Sequence, residues 1–187
     1  MDPLGKNAIR QIPIKNINKS KTISVIKIVD AIEYGKPIGK SYAGTGCFHK
    51  GDLMWSGGVK IINHLSDIAR IELEKYGYSL VDKINSPFNE EYSKRADLLL
   101  GGKLVDVKWN GCSSVKGDKG EMYIIVKWEI YDNITRNIAL TISTEGYFSE
   151  KEFKKFGQKE LLEQAFNMAI DNLLADEAFH TFLTEGK

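Results

Sequence analysis

Asp97, Asp106 and Lys108 are the residues whose types and spacing come closest to a reaction centre. They sit in the stretch Ala96–Trp109, ADLLLGGKLVDVKW, which imitates the core of PD-(D/E)xK nucleases. In that chemistry two carboxylates hold a divalent cation, and a lysine two residues after the second acid stabilises the activated water or the phosphorane. A strand's period of two puts Asp106 and Lys108 on one face. Glu72 or Glu74, on the preceding helix, would supply a further acid. The competing reading is plainer: polar residues alternating with Val and Leu on an exposed strand face.

Other chemistries find less in the chain. The segment Gly44-Thr45-Gly46-Cys47-Phe48-His49-Lys50-Gly51 is glycine-rich, yet a P-loop needs Gly before Lys and Ser or Thr after it. Here the order is Lys50-Gly51-Asp52, and His49 stands where a dinucleotide fingerprint needs its third glycine. No G-x-S-x-G elbow occurs, and the three histidines are His49, His64 and His180. His64 and His180 fall on helical stretches, as surface or packing residues. A metal site built from Cys47, His49 and Cys112, with His64 as a fourth ligand, lacks the short-spaced paired motif of zinc sites. The sequon Asn133-Ile134-Thr135 has meaning only in a eukaryotic secretory pathway.

The elements that must position these residues follow from periodicity. Ile and Val dominate Thr22–Glu33, which predicts a strand. Glycines and Pro37 then punctuate 35–51 as a long loop. Ile62, Leu65, Ala69, Leu73 and Tyr76, widened by Ile61 and Ile68, mark a helix that Gly77 closes. A short strand at Tyr78–Val81 and a polar loop at Ile84–Tyr92 come next. Leu98–Trp109 predicts a strand. Met122, Ile124, Val126, Trp128 and Ile130 share one face of another, and Ile138, Leu140 and Ile142 continue after the Asp132-Asn133 turn as a hairpin. Ser149 with Glu152 reads as a capping box and Phe148 with Phe153 as its staple, with Gly157 breaking the helix they open. Leu161, Leu162, Ala165, Phe166, Ala169, Ile170, Leu173 and Leu174 form a wide apolar face beyond it, and Asp176 caps a last short helix.

That order predicts an α+β fold, an α/β sandwich. The expected sheet is mostly antiparallel with about five strands. One long helix follows the first strand, and two C-terminal helices pack on the sheet. Residues 1–21 read as an extended basic arm and 22–187 as a single domain.

Size and charge narrow the function classes. At 187 residues with 42% hydrophobic and 27% charged side chains, the chain can bury a core without metal or cross-link. The net charge is +1, so indiscriminate nucleic-acid binding has no global support. The charge is nonetheless uneven: residues 1–50 carry nine Lys/Arg against three Asp/Glu, and the remainder 17 against 22. The basic arm is a solvated leader, or a contact for anionic lipid or another subunit. No run approaches the ~20 apolar residues of a membrane span. The opening MDPLGK holds no secretory h-region. A cytoplasmic protein and a chain that starts after a removed signal are both compatible with it.

Taken in order, four segments resemble the bacterial envelope family that contains the TolB N-terminal domain, the lipoprotein activators of penicillin-binding proteins, and the curli-secretion lipoprotein CsgG. The segments are YAGTGCF (42–48), RADLLLGGKLVDVKWNGC (95–112), GEMYIIVKWEIYD (120–132) and AFNMAIDNLLADEAF (165–179), with Thr144-Glu145-Gly146 on the expected T-x-G strand. The resemblance spans roughly residues 22–182. It implies a non-enzymatic structural or adaptor component without cofactor, at the periplasmic face of the envelope, working with other envelope proteins or as a homo-oligomer. It transfers no catalytic set. It also implies a disulfide between Cys47 and Cys112 in an oxidising compartment; two free thiols in a cytoplasmic protein are the alternative.

Overall fold

The computed structural model describes residues 8–14, 20–57, 59–81, 96–155 and 157–184. The predicted loop Ile84–Tyr92, and residues 1–7 and 15–19 of the arm, lie outside them. Among the described residues six strands and three helices follow one another as β1 (Ile23–Asp30), β2 (Pro37–Ala43), β3 (Phe48–Met54), α1 (Val59–Lys75), β4 (Leu98–Ser114), β5 (Gly117–Asp132), β6 (Asn137–Lys154), α2 (Gln158–Leu174) and α3 (Glu177–Thr184). This is the expected α+β architecture, with a mostly antiparallel sheet and two helices at the C-terminus.

β4 organises the sheet because it is long enough to serve two partners on one edge. Its first half pairs in parallel with β1, from Ile23↔Leu98 to Asp30↔Leu104. Its second half pairs in parallel with β2, from Gly39↔Trp109 to Ala43↔Ser113. On the other edge β4, β5 and β6 form an antiparallel meander. The strand order is β3-β2-β4-β5-β6, with β1 beside β4.

Among the described residues the helices cover one face of the sheet only. Met122, Ile124, Val126, Trp128 and Ile130 of β5 are buried beneath them, together with Leu98, Leu100, Leu104 and Val107 of β4. α1 supplies Ile62, Leu65, Ala69 and Leu73; α2 supplies Leu162, Phe166, Ile170 and Leu173. The helical period therefore names these buried residues, while Ile68 and Tyr76 of the same stripe are half-buried and the side chain of Ile61 lies outside the description. Gly77 ends α1 at φ +87°, a left-handed conformation that glycine enters without strain, and Tyr78 N–H closes back onto the Leu73 carbonyl at 3.1 Å. Asp176 caps α3, accepting from Phe179 N–H at 2.9 Å. The short strand expected at Tyr78–Val81 reduces to a single bridge, Ile23↔Leu80.

Two expectations are corrected. The glycine-rich stretch 35–51 is no long loop but most of a hairpin, β2 and β3. Its glycines permit strand contact rather than prevent it. At Gly39 a Cβ would collide with the Trp109 carbonyl, so only glycine allows β2 this close to β4. The long helix accordingly follows the third strand, not the first. The second correction concerns Ser149 and Glu152, which belong to β6 and cap nothing. β5 reaches back to Gly117, and its pairing with β6 as far as Asp118↔Lys154 overrides the local helix signal. The helix begins at Gln158 instead, capped by Gly157, whose N–H donates to Glu160 Oε2 at 2.6 Å.

Candidate functional site

The uncovered face of the sheet carries the polar half of each strand's alternation. Asp106, Lys108 and Asn110 of β4 lie there, opposite Ile125, Tyr123 and Glu121 of β5. Asp106 is held between two lysines, with Lys36 Nζ at 2.8 Å and Lys108 Nζ at 3.9 Å. Asp97 is elsewhere. It stands just before β4, nine residues from Asp106, which at ~3.3 Å per residue is roughly 25–30 Å. There its Oδ2 accepts from Thr22 N–H at 2.7 Å and Thr22 Oγ1 at 2.9 Å, stitching β1 to β4. Glu72 pairs with Lys75 at 2.8 Å on α1, which packs on the covered face. Asp106 and Lys108 thus meet as expected, while Asp97 and the helix acid do not join them. Among the described residues no group of three His, Cys, Asp or Glu side chains can hold a metal ion.

Along the same face a second knot joins Lys103, Glu129 and Lys127. Glu129 Oε1 lies 2.8 Å from Lys103 Nζ and 3.8 Å from Lys127 Nζ. The Lys103 hydrogen bond holds this carboxyl below its ordinary value. Lys103 and Lys127 are direct cross-strand neighbours, a repulsive placement that their shared carboxylate offsets. Tyr123 stands directly across from Lys108, on the side of Asp106 away from this second knot, and its phenol is pushed up to about 12 by burial and by the neighbouring Glu145 carboxylate.

The far end of the face is built around Glu121, which is only 7% exposed. Its Oε1 accepts from Asn110 Nδ2 at 3.1 Å and its Oε2 from Tyr147 OH at 3.0 Å. Asn110 Oδ1 in turn accepts from Lys40 N–H at 3.1 Å, so one polar chain couples β2, β4, β5 and β6. Burial holds the Tyr147 phenol above its ordinary value, with the Glu121 carboxylate adding to the effect. A recess of about 320 Å³ opens here, lined by Cys112, Lys119, Glu121, Ser149 and Lys151.

Cys47 and Cys112 are joined in a disulfide beside this recess, with Cα atoms 5.6 Å apart. Because β2 lies next to the end of β4, the hairpin turn falls directly over Cys112. The bond removes both thiols from any metal site. His49 instead sets its ring edge against Tyr42, with centroids 5.7 Å apart. His64 lies 3.2 Å from Glu163 on α2. The Asn133 amide donates to the Ala96 carbonyl at 2.7 Å inside the β5–β6 turn.

The alternation of Met122, Ile124, Val126, Trp128 and Ile130 implies a second, polar face of β5 made of the residues between them, but not its knots. Lys36, Lys103 and Asn110 are called to this face by parallel pairing and strand register, which no local pattern announces. The alternation of Glu121, Tyr123, Lys127 and Glu129 was the one available signal.

No protein-family model and no curated protein matches the sequence. Solved structures do match its shape. Protein XCC0632 of Xanthomonas campestris, of the DUF330 family model, aligns with a TM-score of 0.54 at 12% identity over 88% of this chain and 91% of that one. The hypothetical protein CT253 of Chlamydia trachomatis aligns at 0.50 and 9% identity over 88% and 98%. The PelC dodecamer of Paraburkholderia phytofirmans gives 0.48 and 12% over 88% and 93%. The chain therefore shares the fold of the bacterial proteins XCC0632 and CT253. The narrower family of TolB, CsgG and the penicillin-binding-protein activators is not supported by these matches.

Proposed function

We propose that this protein is a non-enzymatic structural or adaptor component of a bacterial cell-envelope assembly, acting at the periplasmic face. The observation that carries the reading is the Cys47–Cys112 disulfide. It uses the only two cysteines of the chain and ties the β2–β3 hairpin to the central strand. Such a bond persists in oxidising compartments and is rare in the bacterial cytosol. The uncovered sheet face adds support. Its charged side chains are tied to one another across strands, which suits a preformed surface for protein contact better than a reaction centre. The same arrangement argues against the nuclease alternative, since Asp97 is too far from Asp106 to share a cation with it.

Peptide mapping of non-reduced protein from its native cells tests the location. A linked pair of peptides containing Cys47 and Cys112 is the expected result, and two alkylatable thiols would overturn the envelope reading. A plasmid-cleavage assay with magnesium and manganese tests the absence of catalysis. Metal-dependent cutting that is lost in Asp106→Ala and Lys108→Ala would establish the nuclease instead.

A further inference from the structure

Residues 8–14 lie along α2 as an extended strap held almost wholly by its backbone and one side chain. Asn172 of α2 reads the strap from both ends of its amide. Its Oδ1 accepts from Gln11 N–H at 2.7 Å, and its Nδ2 donates to the Ile9 carbonyl at 3.1 Å. A donor and an acceptor two residues apart is the pattern that an extended chain presents along one edge. Between them Arg10 Nε meets Asp171 Oδ2 at 2.9 Å, on a carboxylate that is largely buried. The Ile14 N–H then donates to the Leu174 carbonyl at 3.1 Å, in the last turn of α2 where such a carbonyl has no helical partner. The Asn172 amide is itself anchored, since Nδ2 also donates to the Glu145 carbonyl on β6 at 2.9 Å.

What the strap does not do is equally telling. A tail that served only stability would bury its apolar side chains, yet Ile9 is 74% exposed and Ile12 85%. Pro13 alone is buried. The contacts that hold the strap are hydrogen bonds and one ion pair, specific for an extended backbone with arginine at its centre. Nothing in them depends on the strap belonging to the same molecule.

We infer that Asp171 and Asn172 form a recognition site for an extended, arginine-centred segment, filled in cis by residues 9–11 and able to take the same segment from a second copy of the chain. In cis the strap competes at the high effective concentration of a tethered ligand, about millimolar for a short connection. Exchange therefore shows itself only when the cis strap is weakened. The two exposed isoleucines then travel with the donated strap. This inference concerns a surface and stands whether or not the protein resides in the envelope.

Two full-length variants test it. Arg10→Ala weakens the strap and leaves the site intact; Asn172→Ala breaks the site and leaves the strap intact. Sedimentation velocity of their equimolar mixture is expected to show a complex that neither variant forms alone. A mixture that stays monomeric overturns the inference, as does equal association of either variant by itself. Asp171→Asn serves as a second donor should Asn172→Ala fold poorly. A fluorescein-labelled peptide of residues 8–14 gives the affinity by anisotropy. It is expected to bind the Arg10→Ala protein at least tenfold more tightly than the unaltered protein. The same peptide with Ala replacing Arg10 is expected to bind tenfold more weakly or worse. Equal binding of the two peptides would overturn the arginine's role.

Discussion

Trp128 and Phe166 meet at the centre of the core with ring centroids 5.8 Å apart and planes tilted by 41°. The contact joins the middle of β5 to the middle of α2, and Trp128 keeps its indole N–H satisfied on Thr144 Oγ1 at 2.8 Å. Both rings are fully buried. Phe166→Ala removes one ring of the pair and leaves a cavity that the β-sheet cannot close. The expected loss is about 3–5 kcal/mol, measured by urea unfolding. A loss under about 1 kcal/mol would mean that α2 does not press on the sheet here.

Gly146 marks the closest approach between β6 and α2. A Cβ at this position would run into the Ala165 carbonyl, part of the helix backbone rather than a movable side chain. Gly146→Ala should therefore force the helix away from the sheet and cost about 1–3 kcal/mol or more. The same change at Gly35, where a Cβ meets nothing within 4 Å, is a control for space, though its φ of +79° adds strain of its own. Thermal unfolding of the two variants separates crowding from backbone strain. Equal shifts would remove crowding as the cause at Gly146.

These two sites show which parts of the molecule a sequence discloses. The apolar rows of β5 and α2 repeat at two and at three to four residues, so Trp128 and Phe166 are legible as partners before any coordinates. Asp176 and Gly77 are legible for the same reason, because caps act within a single turn. The β2–β3 hairpin is not. Its pairing with β4 joins residues about seventy positions apart, and glycines that mean a turn locally mean a close strand contact here. The signal of Ser149 and Glu152 fails in the opposite direction: a good local cap loses to a longer antiparallel ladder. The candidate face shares this limit. Alternation revealed its polar character, but Asp106 finds Lys36 only through the register that parallel β2 and β4 impose.

Acid should act on the strap and on the contribution of Asp171 to folding with opposite signs. Burial raises the Asp171 carboxyl above its ordinary 3.8; Arg10 pulls it down, Glu72 on α1 raises it and Lys75 lowers it. A carboxyl raised in the folded state contributes stability that is complete below its unfolded value and is lost as pH rises through the folded one. The ion pair with Arg10 runs the other way, because it needs the ionised form. As pH falls from neutral toward the ordinary carboxylate range, amide exchange at Gln11, corrected for its intrinsic rate, should quicken while Asp171 favours the folded core. Asp171→Asn should abolish the pH dependence and leave the strap loose at neutrality. Strap protection that is flat with pH in the unaltered protein would show that Arg10 and Asp171 do not hold it.

The disulfide should matter most where secondary structure matters least. β2 is tied to β4 by five register pairs from Gly39↔Trp109 to Ala43↔Ser113, but β3 is an edge strand that among the described residues pairs with β2 alone. Cys47 lies at the turn between them, and its bond to Cys112 pins that turn to the sheet. Closing a loop with a sequence separation of 65 constrains the unfolded chain, a contribution of about 2–4 kcal/mol for typical disulfides. The double variant Cys47→Ser, Cys112→Ser should lose stability in that range and leave no stray thiol. Its β3 amides should exchange faster, whereas those of β5 should keep the protection set by global unfolding. Reductant should lower the urea midpoint of the unaltered protein and leave the double variant unmoved. Equal midpoints for oxidised and reduced protein would show that the sheet, not the bond, holds the hairpin in place.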